Sequence, residues 1–242
     1  MISFFKKKSD SIKRFLRTDM HSHMLAGLDD GVKSHEEAVQ LIQNFHRLGY
    51  AKVITTPHIM SDYYRNEPEQ ILSKAVELNS ILKEQQIPVI VEAAAEYYLD
   101  ENLASKVNEQ KRLLTFGANS NYLLFETNFF SEPYILNEFI FNAITQGYKP
   151  VLAHPERYQY MTMEKAEELR DRGVLLQLNI PSLVGYYGKP IERMAVNLIE
   201  AGWIDLLGSD CHNMLQCKAV ESAFQNRNFK KALDLPLLNN SL

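Results

Sequence analysis

Apolar residues along this chain fall into two alternating patterns. Short, nearly unbroken runs occur at 51-AKVITTP-57, 87-IPVIVEAAAE-96, 121-NYLLFET-127, 149-KPVLAHP-155, 174-VLLQLN-179 and 204-IDLLGSD-210. A shorter run, 18-TDMHSH-23, opens the series. Such runs read as parallel strands buried on both faces, which have no polar side to present to water. Between them, apolar residues recur at helical spacing. Ser34 and Glu37 form a capping-box spacing ahead of Ala38, Leu41, Ile42, Phe45 and Leu48, and Gly49 closes that helix. Ile71, Ala75, Leu78, Ile81 and Leu82 mark a helix over 67–85. Pro133 stands near the start of another that ends at Gly147, and 163–172 ends at Gly173 in the same way. Seven strands alternating with helices predict an α/β fold, either a (β/α) barrel or an open parallel sheet.

Length and charge narrow this picture. The 242 residues suit a single domain, with no repeat, low-complexity tract or Pro/Gly-rich linker. Net charge is −4, so no global basic field favours nucleic acid. Residues 1–17 differ from the rest: Lys6, Lys7, Lys8, Lys13, Arg14 and Arg17 stand against Asp10 alone. We divide the chain into a basic N-terminal arm over 1–17 and a catalytic domain over 18–242. The arm is either a loosely packed extension or a basic-aromatic anchor to a membrane face or partner. It lacks the apolar stretch and cleavage site of a signal peptide, and no run approaches the ~20 residues of a membrane span. Two cysteines, Cys211 and Cys217, are no disulfide framework. Together these features predict a cytoplasmic protein.

The chemistry lies at the strand ends. Going along the chain, the runs terminate in 19-DMHSH-23, 55-TTPHI-59, 92-EAAAE-96, Glu126, 153-AHPER-157 and 208-GSDCH-212. In a barrel these ends converge on the rim where active sites form. Five of the seven histidines fall there, whereas His35 and His46 sit on a predicted helix and read as surface residues. His21 and His23 are two apart, so strand alternation puts both imidazoles on one face with Ser22 on the other. Asp210 and His212 share that parity, with Cys211 facing elsewhere. Nitrogen and oxygen donors without thiolate suit Mn²⁺, Fe²⁺ or Zn²⁺ in an open catalytic site. Asp30, Glu96, Glu126 and Asp210 would repel one another if gathered without cations, so the cluster makes sense as a polynuclear metal site. Glu92 keeps the same strand parity as Glu96, and spacing alone does not separate them.

These residues resemble the polymerase and histidinol phosphatase (PHP) superfamily. Within it, 19-DMHSHMLAGLDDG-31, 55-TTPHI-59, 152-LAHPERY-158 and 209-SDCHN-213 look like the bacterial metal-dependent protein-tyrosine phosphatases of capsule and exopolysaccharide operons (CpsB/YwqE type). The resemblance spans residue 18 to about residue 225 and implies a distorted (β/α)7 TIM-like barrel. It implies two or three divalent cations, with manganese foremost. His21, His23, Asp210 and a bridging Glu96 would hold the first; Glu96, Glu126 and His154 the second; Asp30, His58 and His212 the third. Arg157 would anchor the substrate phosphate. Many relatives also carry an arginine shortly after S-D-x-H, where this chain has Cys217 and Lys218.

The implied reaction is phosphomonoester hydrolysis, in which cations lower the pKa of a bridging water from 15.7 to ~7 and the hydroxide attacks phosphorus. Asp210 or a metal-bound water is the candidate for protonating the leaving oxygen. The implied partner is a phosphotyrosine protein, namely the tyrosine-rich tail of a membrane-bound autokinase controlling capsule synthesis. Tyr63, Tyr64, Phe129, Phe130, Tyr158, Tyr160, Tyr186 and Tyr187 fall in loops that could face such a substrate. A thiolate mechanism is disfavoured, since neither cysteine begins a C-x5-R motif. The rival readings are a PHP phosphatase for a small ester such as histidinol phosphate, an amidohydrolase-type barrel, and a catalytically silent metal-binding partner of a membrane kinase. Glu126 stands where amidohydrolase barrels commonly use lysine.

Overall fold

The computed structural model describes residues 16–242, and the arm expected over 1–17 falls almost wholly outside the described residues. Among them, β1 (Thr18–Asp19), β2 (Lys52–Thr55) and β4 (Ile90–Ala93) form one parallel sheet in that order, while β3 (His58–Ile59), β5 (Glu96–Tyr98), β6 (Tyr122–Glu126), β7 (Lys149–Ala153), β8 (Leu175–Asn179) and β9 (Leu206–Gly208) form a second. Every named strand pair is parallel.

The two sheets are parts of one ring. The runs predicted as single strands at 51–57 and 87–96 each divide in two, β2 passing to β3 across Thr56 and Pro57, and β4 to β5 across Ala94 and Ala95. Pro57 has no N–H for the ladder, which accounts for the first interruption. Pairing nevertheless continues across the gap, where Ala94 N–H donates to the Thr55 carbonyl at 2.9 Å and Glu96 N–H to that of Pro57 at 3.2 Å. On the other side, a parallel bridge joins Ser22 to Cys211, with Asp210 N–H on the His21 carbonyl at 2.8 Å and His23 N–H on that of Cys211 at 3.0 Å. The last strand thus returns to the first.

Helices pack outside this ring: α1 (His35–Arg47), α2 (Pro68–Glu84), α3 (Glu101–Asn108), α4 (Leu136–Thr145), α5 (Met163–Asp171), α6 (Lys189–Ala201), α7 (Met214–Ala223) and α8 (Arg227–Ala232). In α1 the predicted cap is present, Ser34 Oγ accepting the Glu37 N–H, and Ala38, Leu41, Ile42 and Phe45 are buried. Gly49, Gly147 and Gly173 follow their helices with positive φ, the left-handed turn that a glycine makes at no steric cost. Met20, Ile54, Leu124, Val151, Ala153 and Leu206 plug the barrel interior, and the larger core lies between strands and helices. No helix among the described residues is long and apolar enough to cross a membrane.

Candidate metal centre

Strand alternation delivers the first pair of ligands. His21 and His23 are fully buried with their Nε2 atoms 3.3 Å apart, while Ser22 Oγ turns away to the Ile54 carbonyl. Both nitrogens face the same carboxylate oxygens. Glu96 Oε2 lies 3.2 Å from His21 Nε2 and 3.4 Å from His23 Nε2, and Asp210 Oδ1 lies 3.5 and 3.4 Å from them. The ambiguity between Glu92 and Glu96 resolves here: Glu96 is buried in the cluster, whereas Glu92 is exposed and pairs with Lys52 at 2.7 Å.

His58 connects two further groups. Its Nδ1 is 3.1 Å from Glu96 Oε2 and 3.2 Å from Glu126 Oε1, and its Nε2 is 3.5 Å from Asp30 Oδ1. His154 Nε2 reaches Glu96 Oε1 at 3.1 Å but stays 3.9 Å from Glu126 Oε2. His212 Nε2 faces Asp30 Oδ1 at 3.4 Å. All nine residues expected as ligands therefore meet at one rim, with His58 rather than His154 nearer to Glu126. His35 and His46 lie apart on α1, the former 3.6 Å from Glu77.

The expected strand parity of Asp210 and His212 does not hold. β9 ends at Gly208, and Asp210 adopts φ +50, as His154 adopts φ +37 after β7. A left-handed backbone at non-glycine residues costs ~1–2 kcal/mol and persists where the surroundings impose it. Here it turns both side chains from the strand direction into the cluster. Gly208 permits this closeness, since a Cβ there would lie 2.6 Å from His21 Cβ.

The donor atoms fit divalent cations. Glu96 Oε2 and His58 Nδ1 are buried and without hydrogen-bond partners although ligand atoms surround them, as atoms that face an ion would be. The far sides of the rings are occupied: His21 Nδ1 meets Gln177 Oε1 at 2.8 Å, His23 Nδ1 meets Asp29 Oδ2 at 2.7 Å, and His212 Nδ1 meets the Asp210 carbonyl at 2.9 Å. With a cation bound, such contacts would leave each Nε2 unprotonated and aimed inward. Electrostatics agree. Burial opposes ionisation of Glu96, yet His21, His58 and His154 hold it well below the usual carboxylate range. Asp210 is likewise held low against its burial by His21, His23, His212 and Arg157. Glu96 and Asp210 are thus ionised, and where no cation stands the imidazoles carry the charge that balances them.

Asp29, Gln177 and Asn179 escaped the sequence reading. The motif pointed to Asp30 alone and gave its neighbour Asp29 no role, and neutral amides carry no ligand signature.

Arg157 closes one side of a cavity of about 380 Å³ that also bears Asp30, His58, Glu126, His154 and Asp210. Its guanidinium lies between the rings of Phe129 and Tyr187, 4.8 and 4.5 Å from their centroids, and Nη1 donates to Asp210 Oδ2 at 2.8 Å. Its neighbour Glu156 instead accepts from Ser182 Oγ and the Asn179 N–H. α7 brings Gln216 to this cavity, while Lys218 is exposed outside its lining. Of the rim aromatics, Tyr64 stacks on His58 and Phe129 on His154. Tyr63 and Phe130 are exposed; Tyr158 is buried, its hydroxyl donating to the Ala153 carbonyl.

A parallel β/α ring whose carboxyl rim gathers imidazoles and carboxylates around common points is a barrel with a candidate metal centre at its active-site end. The CpsB/CapC family of capsular polysaccharide synthesis matches residues 17–223, and this chain belongs to that family. Tyrosine-protein phosphatase YwqE of Bacillus subtilis is 30% identical over 202 residues, covering 81% of this chain and 77% of its own. Tyrosine-protein phosphatase CpsB of Streptococcus pneumoniae is 28% identical over 203 residues, covering 81% and 83%. A crystal structure from a study of these two proteins, described as unique metal-dependent tyrosine phosphatases, aligns at a TM-score of 0.78 and 27% identity over 86% of each chain. Histidinol phosphate phosphatase from Lactococcus lactis aligns at 0.51 and 13% identity over 90% and 94%, a likeness of fold.

Proposed function

We propose that this chain hydrolyses phosphotyrosine on proteins, using two or three divalent cations held by His21, His23, Asp30, His58, Glu96, Glu126, His154, Asp210 and His212. The observation that carries this reading is the convergence of those donors beside a stacked guanidinium at the mouth of one cavity. Manganese suits the mixed nitrogen and oxygen set, as iron or zinc would. Bound there, the cations supply an acidified water and neutralise charge on the phosphoryl oxygens.

The chain's own groups do the rest. Arg157, held flat by Phe129 and Tyr187, presents a fork that matches two phosphate oxygens and stabilises charge as it develops. The departing tyrosyl oxygen collects its proton from Asp210 or from a bound water. Tyr64 and Phe129, stacked over two of the histidines, offer apolar walls to an aryl ester. The name of the family supports a role in capsule synthesis, and the resemblance of the motifs points to the tyrosine-rich tail of a membrane-bound autokinase, met at the cytoplasmic face, as the substrate.

The test is to assay the purified protein on a phosphotyrosine peptide and on histidinol phosphate in parallel. Preference for the peptide is expected. Preference for histidinol phosphate would move the substrate to the small-ester class, and turnover of neither would leave a silent metal-binding partner.

A further inference from the structure

Strand β8 ends without a ligand, yet it carries Gln177 and Asn179 fully buried among the ligands of its neighbours. Two residues apart, they point to the same interior face. We infer that they are positioning residues for the cation cluster, forming an amide chain that sets the tautomer of His21 at one end and the orientation of Asp210 at the other. The inference rests on the metal reading above.

The direction of the chain follows from its ends. The His154 backbone N–H can only donate, and it points at Gln177 Oε1 at 3.3 Å. That oxygen also faces His21 Nδ1 at 2.8 Å, so Nδ1 must carry the proton and Nε2 must offer its lone pair to the cluster. Gln177 Nε2 then donates to Asn179 Oδ1 at 2.9 Å, and Asn179 Nδ2 donates to Asp210 Oδ2 at 2.7 Å. An ionised carboxylate can only accept, so both ends demand the same polarity. Oδ2 also accepts from Arg157, which leaves Oδ1 for the centre shared with His21, His23 and His212. The fold makes room for the chain, because a Cβ on Gly208 would lie 2.8 Å from Gln177 Nε2. Reaching a ligand at each end, the pair couples the first strand to the last through β8, which has no ligand of its own.

The test measures Mn²⁺ affinity by competition with a chromophoric chelator, alongside thermal unfolding of the cation-free protein. Gln177→Met keeps the length and removes both polar atoms. It is expected to weaken Mn²⁺ binding by roughly 10–100-fold, the usual cost of losing a group that orients a ligand. Gln177→Glu keeps an oxygen for His21 Nδ1 and the His154 N–H, and should bind Mn²⁺ more tightly than Gln177→Met. A role confined to packing would lower the unfolding temperature and leave the affinity of the folded protein intact. Affinity of Gln177→Met within about twofold of wild type, or Gln177→Glu as weak as Gln177→Met, overturns the inference. If Gln177→Met does not fold, Asn179→Leu, which cuts the link to Asp210, is read in its place with the same expectation. Failure of the wild type itself to take up Mn²⁺ would overturn the metal reading instead.

Discussion

In the proposed reaction Arg157 would meet three demands at once: a planar fork for phosphate, two aromatic faces to hold that plane, and Asp210 to balance its charge. Arg157→Ala is expected to lower kcat/KM by on the order of 10²-fold or more on a phosphotyrosine peptide, with cation content unchanged. Arg157→Lys should recover little, because an ammonium neither stacks nor forks. His58 supplies a second residue-scale prediction. Burial works against its charge, but Glu96 and Glu126 more than offset this and raise its pKa to about 9 from the ordinary 6.5. A histidine raised in the folded state lends stability that is complete below pH 6.5 and is lost as pH climbs through about 9. In chelated protein the imidazolium stands in for the cation's charge; in loaded protein it cannot. The rise in unfolding temperature on adding Mn²⁺ should therefore be larger at pH 9 than at pH 6, and an equal rise at both would count against it. At this scale the sequence was most informative where ligand types recur at strand ends. It was silent on Gln177, Asn179 and Asp29, whose importance comes from what they touch.

At the scale of elements, periodicity and punctuation did most of the work. The Ser34 cap and the glycine after α1 were legible because they answer to local chemistry. The division of the runs at 51–57 and 87–96 was not, because apolar runs report burial and not hydrogen-bond continuity. The short α3 and α8 carry too few turns to show a period and were missed, and α6 and α7 were not delimited. The left-handed turns at His154 and Asp210 were also hidden, since the enrichment of Asp and His at positive φ is too weak to mark a single position. At the end of β9, the approach of β1 leaves no space for a side chain at Gly208, so Gly208→Ala should force His21 outward. We expect that variant to fold with lowered stability and to lose most of its turnover. Full activity measured in soluble, folded Gly208→Ala would show that the site tolerates displacement of His21.

The whole molecule depends on closing the ring. Ring closure was left open by alternation alone, which fits a barrel and an open sheet equally; the PHP resemblance favoured the barrel. Closure is carried by the backbone pairing of Ser22 with Cys211 near the rim and, at the opposite end, by Asn239. That buried side chain accepts from the Leu207 N–H at 2.9 Å and donates to the carbonyls of Thr18 and Leu207 at 3.1 and 2.8 Å, tying β1 and β9 together. Asn239→Ala leaves those backbone groups unpaired, at a cost of about 1–3 kcal/mol each where burial is complete. It should lower the unfolding temperature in calorimetry while the cation-loaded protein still turns over.

Closure brings donors from opposite ends of the sequence around one set of cations, and the account stands on their necessity. The most direct measurement is p-nitrophenyl phosphate turnover followed through chelation and reloading, with bound metal counted at each stage. We predict that turnover disappears as divalent cations are removed and returns in step with Mn²⁺ rebound, and that His21→Ala and Asp210→Ala protein does not recover it. Undiminished turnover by protein shown to be free of divalent cations would contradict the account.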